Sequence, residues 1–167
     1  MAILIHELLR KEKFAMNLHL FATDIDCGAL ADAGKALYPP SGIANIKHRL
    51  LTKYFTAEGT HFRLIPDIKN LVTFSLYDML DKKHGVPPES VFDNFDMVLC
   101  RNLLIYFNIE YQDTIFAKLH HSLSQNGILI LGEAETPTMA YRRHFSRVVD
   151  FSPIYRKRQA IRGEIYE

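Results

Sequence analysis

The chain has 167 residues, 48% of them hydrophobic and 23% charged, with a formal net charge of +1. That length suffices for one α/β domain with its own core, and the charge balance calls for neither nucleic acid nor an anionic membrane as partner. Cys27 and Cys100 lie far apart without C-x-x-C spacing, which argues against a zinc site or disulfide framework and suits a reducing cytoplasm. No apolar run approaches the ~20 residues of a membrane span.

Residues 2–13 predict an amphipathic helix, with Ile3, Leu4, Ile5 and Leu8 inward and Glu7, Lys11 and Glu12 on the opposite face. Leu18–Asp24 predicts an apolar strand ending in an acid. Asp26 stands at the N-cap of a helix over Cys27–Gly34, and Tyr38–Gly42, with two prolines, predicts a loop. A short helix is expected over Asn45–Thr52. Strands are expected at Tyr54–Phe55, His61–Ile65 and Leu71–Ser75, the first two joined through Glu58-Gly59. Lys82–Ser90 predicts a polar connection. Phe95–Leu99 predicts a buried strand running into Cys100-Arg101-Asn102, and Ile109–Ser124 a helix burying Ile115, Phe116, Leu119 and Leu123. Asn126-Gly127 then turns into the apolar run Ile128–Leu131, and Phe145–Val149 with Ile154–Arg158 predicts an antiparallel pair. Alternating strands and helices imply a mainly parallel sheet, covered on both faces, with a small β-rich insertion over 44–70.

Ligands of parallel α/β sheets gather at the carboxyl ends of the strands. Three predicted strand ends carry polar groups: Asp24, Asp78 and Arg101-Asn102. An acid at such an end can accept hydrogen bonds from a ribose diol, although each of these residues alone reads more readily as a turn or cap. The adjacent His120-His121 pair diverges on a helix, which makes a metal site a poor reading, and Cys100 reads as an inert core thiol. The basic residues Arg142, Arg143, Arg147, Arg156, Lys157 and Arg158 read as a solvated face.

Together the residues say more. Phe21-Ala22-Thr23-Asp24-Ile25-Asp26, then Leu30, Ala33, Gly34 and Tyr38, resemble the stretch after the second strand of CheR methyltransferases. The resemblance continues through Asn45-Ile46, Tyr54-Phe55, Val72-x-Phe74, the string Phe95-Asp96-Met97-Val98-Leu99-Cys100-Arg101-Asn102-Leu103-Leu104-Ile105-Tyr106-Phe107, Gln112, and Leu131-Gly132-x-x-Glu135. It implies a class I methyltransferase, a Rossmann-like doubly wound α/β sheet. The resemblance further implies that the chain uses S-adenosyl-L-methionine, releases S-adenosyl-L-homocysteine, and esterifies glutamate side chains on the cytoplasmic domains of chemoreceptors. By the same resemblance Asp24 would bind the ribose hydroxyls, Asp78 the adenine amine and Met79 the adenine ring. Arg101 and Asn102 would line the methionyl and sulfonium end, with Tyr106 beside the methyl group. Arg101 and Tyr106 would hold and orient the incoming carboxylate.

The family places a Gly-rich acidic loop directly before the helix that residues 2–10 resemble, and this chain starts after it. The expectation is a partial domain over 1–167 with the first sheet strand missing. From a micromolar starting affinity of about 8 kcal/mol, losing about three charge-assisted hydrogen bonds would leave cofactor affinity on the order of 10 mM. Glu133 also departs from a frequent family His. A degenerate binding module without cofactor is the competing reading. The absent strand would lie between those ending at Asp24 and Leu99, so self-association through unpaired strand edges is expected. The hairpin turn Glu58-Gly59-Thr60 is shorter than in members that dock a receptor tail, which predicts no such docking.

Overall fold

The backbone of residues 1–78 is organised by one parallel strand pair and one antiparallel sheet. The structure is a computed structural model and describes residues 1–14, 16–81, 83, 85–87, 90 and 94–159. These divide into two compact units: the first holds residues 1–78 with Pro87, the second the described residues from 79 to 86 and from 90 onward.

In the first unit α1 (Ala2–Glu12) ends at Lys13 in the left-handed region, with Arg10 and Lys11 in the last turn, where cations suit the helix dipole. None of its residues is buried; Leu4 and Leu8 are 59% and 56% exposed. Its inner side instead includes Glu7, expected on the outer face. Glu7 accepts a short hydrogen bond from the hydroxyl of Tyr54 and one of 2.5 Å from Lys53 Nζ. Helical spacing alone could not show this, because the demand comes from the nearly fully buried Tyr54, whose hydroxyl needs an acceptor.

β1 (Leu20–Asp24) leads to α2 (Cys27–Lys35), whose Asp26 cap accepts from the amides of Gly28 at 2.7 Å and Ala29 at 3.2 Å. The expected loop at 38–42 is in fact β2 (Leu37–Tyr38) followed by the single turn α3 (Pro40–Ile43), because Pro40 supplies a helix-ready φ at the first position. α4 (His48–Tyr54), β3 (Phe55–Glu58), β4 (His61–Leu64), α5 (Pro66–Lys69) and β5 (Val72–Leu76) follow. Gly59, at φ 59°, supplies the left-handed turn that lets Glu58 pair with His61. β2, β4 and β3 form the antiparallel sheet, and β1 pairs in parallel with β5 from Leu20↔Val72 to Asp24↔Leu76. Among the described residues β1 has this one neighbour.

The second unit contains β6 (Phe95–Cys100), a 3₁₀ turn at Leu104–Tyr106, α6 (Ile109–Ser122), β7 (Leu123–Leu131), a second 3₁₀ turn at Arg142–His144, β8 (Phe145–Arg147) and β9 (Ile154–Lys157). The strand order is β6-β7-β9-β8, with β6 and β7 parallel and the rest antiparallel. Ile115, Phe116 and Leu119 on α6 pack with Leu123, Leu129 and Leu131 of β7 into the core, joined by Cys100, Leu104, Phe145 and Tyr155. Leu123, expected in the helix, already belongs to β7. The Asn126-Gly127 turn is absorbed as an irregularity in that strand: Phe95 faces Leu123, while Met97 faces Ile128. A Cβ at Gly127 would lie 2.9 Å from the Ser124 carbonyl, so the close approach requires glycine. β6 was expected to be buried on both sides. Among the described residues it has β7 as its one neighbour, and Met97 and Leu99 are each 42% exposed, while Val98 is half-buried and Cys100 buried on the other face. Most of the Lys82–Ser90 connection lies outside the described residues. The α/β class and the small antiparallel sheet agree with the sequence reading. No described helix is long and apolar enough to cross a membrane.

Candidate functional site

The predicted site residues fall into two groups, one in each unit. In the first, the parallel pairing of β1 and β5 brings two acids to neighbouring strand ends. Asp24 closes β1; its carbonyl accepts from the Tyr77 amide at 3.0 Å, tying that end to the residue after β5. Tyr77 is buried, which turns the next residue, Asp78, outward. The side chain of Asp24 is exposed. Its Oδ1 accepts from the Asp26 amide at 2.9 Å, and among the described residues no donor bonds Oδ2. A carboxylate with one oxygen committed and the other facing solvent at a strand end has the donor-seeking chemistry that suits a diol.

The second group stands on the exit of β6. Cys100 is buried, and burial first, then the nearby charge of Glu135, pushes its thiol up to about 12, so it is not a thiolate nucleophile. Arg101 and Asn102 are exposed, the latter with φ 57°, a left-handed conformation that asparagine tolerates better than most residues. Leu104 is buried and anchors the 3₁₀ turn, while Tyr106, two residues on, is 78% exposed. Cation, amide and phenol are therefore presented from one short segment. Met79 lies in this second unit and packs, half-buried, against its core.

Two polar side chains hold that segment by its backbone. Glu135, buried, accepts from the amides of Gly132 at 2.6 Å and Asn102 at 3.0 Å through Oε2, and from Leu104 at 2.8 Å through Oε1. Gln112 Nε2 donates to the carbonyls of Leu104 at 3.1 Å and Phe107 at 3.0 Å. The sequence reading registered both positions only as matches. Spacing gave no hint of their partners, since the amides that Glu135 receives from Asn102 and Leu104 are 33 and 31 residues away.

The remaining candidates are structural. His120 packs among Tyr141, His144 and Phe145, and burial, with the nearby Lys157 charge, lowers it to about 4; His121 is exposed, so the adjacent pair diverges. Lys157 is no part of a solvated basic face. It is buried, and its ammonium donates to the carbonyls of His120 and Leu123, both at 2.6 Å, where α6 ends. No group of three or more metal-ligating side chains occurs among the described residues.

Comparison with known proteins identifies the family. The family described as CheR methyltransferase, SAM binding domain, matches residues 1–150. The chain is 30% identical over 159 residues to a putative methyltransferase, Cher3, of Pseudomonas putida, covering 90% of this chain and 56% of the relative. It is 32% identical over 120 residues to a chemotaxis protein methyltransferase of Salmonella typhimurium, covering 70% and 40%. A chemotaxis protein methyltransferase of Escherichia coli is 30% identical over 128 residues, covering 74% and 43%. The chain thus spans about half the length of these curated relatives. With residues 1–150 matched, it belongs to the CheR methyltransferase family through the SAM-binding domain, a class I methyltransferase fold.

Proposed function

We propose that this chain is part of an S-adenosyl-L-methionine-dependent methyltransferase that esterifies glutamate side chains on the cytoplasmic domain of a chemoreceptor. The reading includes one partial domain over 1–167, a β-rich insertion over 44–70, and a cytoplasmic location. The observation that carries it is the exit of β6, where Arg101, Asn102 and Tyr106 stand exposed on a backbone segment held from two sides. The cofactor, when bound, supplies a methyl group on a sulfonium.

This chain's residues do the rest. Asp24, with Oδ2 uncommitted, would accept from the ribose hydroxyls and Asp78 from the adenine amine, and Met79 would face the ring. Asn102 and Arg101 would line the methionyl side. The glutamate to be modified is already ionised at neutral pH, so no general base is needed. Arg101 holds that carboxylate by a charge-assisted pair and Tyr106 orients it through its hydroxyl, which aligns the reacting atoms and strips water from the nucleophile. Self-association is not part of the proposal.

Saturation-transfer NMR of the 167-residue chain with S-adenosyl-L-homocysteine tests the reading. Weak binding, with a Kd on the order of 10 mM, or no binding is expected, low-micromolar binding would overturn this, and where weak binding is seen Asp24→Ala should abolish it. An Asp24→Ala chain that binds as the parent does overturns the ribose assignment. Absence of binding when the N-terminal segment of a relative, with its Gly-rich loop, is supplied favours a binding module that has given up the cofactor.

A further inference from the structure

We infer that Glu135 and Gln112 are positioning residues: together they clamp the Arg101–Phe107 backbone so that Arg101, Asn102 and Tyr106 face outward toward cofactor and substrate. The inference rests on the functional reading above for its purpose, and on geometry for its mechanism. Within the segment two backbone bonds occur, from the Tyr106 amide to Leu103 at 3.2 Å and from the Phe107 amide to Leu104 at 3.0 Å. These close the 3₁₀ turn but leave its attachment to the rest of the unit undecided. The two side chains supply that attachment. Glu135 takes the segment's amides at Asn102 and Leu104 and joins them to Gly132 at the exit of β7. Gln112, on α6, takes the carbonyls of Leu104 and Phe107. Leu104 is thus gripped at its amide, its carbonyl and its buried side chain.

The chemistry of the clamp is specific. Three amides converge on two oxygens, so both oxygens must accept, and a carboxylate is the side chain that meets this demand. Among the described residues no cation pairs with Glu135, and backbone amides occupy both of its oxygens. The substitution Glu135→Gln would turn an N–H toward a backbone N–H at one end of the side chain. Gly132 belongs to the same device, because a Cβ there would lie 2.6 Å from both Glu135 Oε2 and Asn102 Oδ1. The bond to the Asn102 amide also secures a residue whose left-handed backbone would otherwise relax. Gln112 is the reciprocal choice: its amide nitrogen gives two protons to two carbonyls, which a carboxylate cannot.

The test uses the 167-residue chain carrying Glu135→Gln, Glu135→Asp or Gln112→Glu, with two readouts. Amide exchange is measured at Asn102, Leu104, Tyr106 and Phe107 against Leu131 in β7, and S-adenosyl-L-homocysteine affinity is measured alongside. We expect Glu135→Gln and Gln112→Glu to speed exchange across the segment at least about tenfold while Leu131 stays protected, and to weaken ligand binding at least about fivefold. Glu135→Asp, which keeps both acceptors, should recover part of each. If Glu135→Gln loosens the whole unit, the half-buried Gln112 decides. Unchanged exchange at the segment in both variants overturns the clamp, as does loss of protection at Leu131 equal to that of the segment in both. A parent that binds ligand and variants that bind equally well overturn the positioning role while sparing the cofactor reading. Where the parent binds ligand too weakly to read, exchange alone judges the clamp.

Discussion

Each unit uses a carboxylate to gather backbone amides at a strand end, but in different surroundings. Asp26, in the first unit, is exposed and accepts two amides as a helix cap. Glu135, in the second, is buried and accepts three, two of them from distant parts of the chain. Water can replace the acceptor at Asp26; nothing replaces it at Glu135. The packing around them differs in the same sense. The second unit closes a cluster of ten buried residues beneath its site segment, whereas α1 of the first unit buries none. The lesson is that a segment can leave its polar side chains in solvent while its backbone is held by buried groups.

Truncating the same kind of side chain in both units should give the widest contrast. Phe116→Ala, at a position with no exposure, should cost about 3–5 kcal/mol in denaturant unfolding. Leu8→Ala, on the open face of α1, should stay within about 0.5 kcal/mol. A Leu8→Ala loss above about 2 kcal/mol would mean that the face is covered in solution and that the comparison is misdrawn.

That contrast separates what the sequence could disclose from what it could not. Continuous apolar runs before polar strand ends made β6 and the end of β7 legible, and Asp26 before a helical stretch made its cap legible, because these signals are local. The polar residues that act at a distance were not. Lys157 sits in a run of cations and reads as solvated, yet the fold takes its ammonium to the end of α6. Glu7 reads as an outward helix residue until Tyr54 is known to need it. Residues Asp24, Asp78, Arg101, Asn102 and Tyr106 were nameable from strand ends and resemblance together. What holds the last three in place depends on register and loop closure, which no single stretch records.

Lys157→Met tests the first of these hidden roles. The substitution keeps the volume and removes the donor, leaving the carbonyls of His120 and Leu123 without the ammonium. The expected loss is about 2 kcal/mol, with Lys157→Arg recovering little because the fork does not fit a single ammonium position. In the first unit Asp26→Ala should cost about 1 kcal/mol, as for other solvent-facing caps, and Asp26→Asn should recover most of it. Equal losses at the two sites would erase the distinction between buried and exposed polar anchors.

The smallest effect should lie in pH, and it distinguishes the units by where each begins to soften. In the second unit His120 is lowered from 6.5 to about 4, by burial first and then by the charges of Lys157, His144 and His121. In the first, Glu7 is lowered from 4.5 to about 2, chiefly by hydrogen bonds from Lys53 and then Tyr54, with Arg49 3.3 Å from its other oxygen. The sign is the same for both groups. Each folded pKa lies below its unfolded value, so the unfolded chain binds more protons inside the window, and stability falls as pH falls. The windows differ. His120 contributes fully above pH 6.5 and loses its contribution on the way to pH 4; Glu7 contributes fully above pH 4.5 and loses its own on the way to pH 2. Both groups are partly solvated, so screening keeps each contribution modest. Amide protection factors followed down in pH should therefore decline first at Phe116 and only later at Tyr54. His120→Asn should remove most of the decline at Phe116 between pH 6.5 and 4, and Glu7→Gln the later decline at Tyr54. If both amides lose protection together in the parent chain and neither substitution separates them, the two units share one acid transition and these groups do not set it.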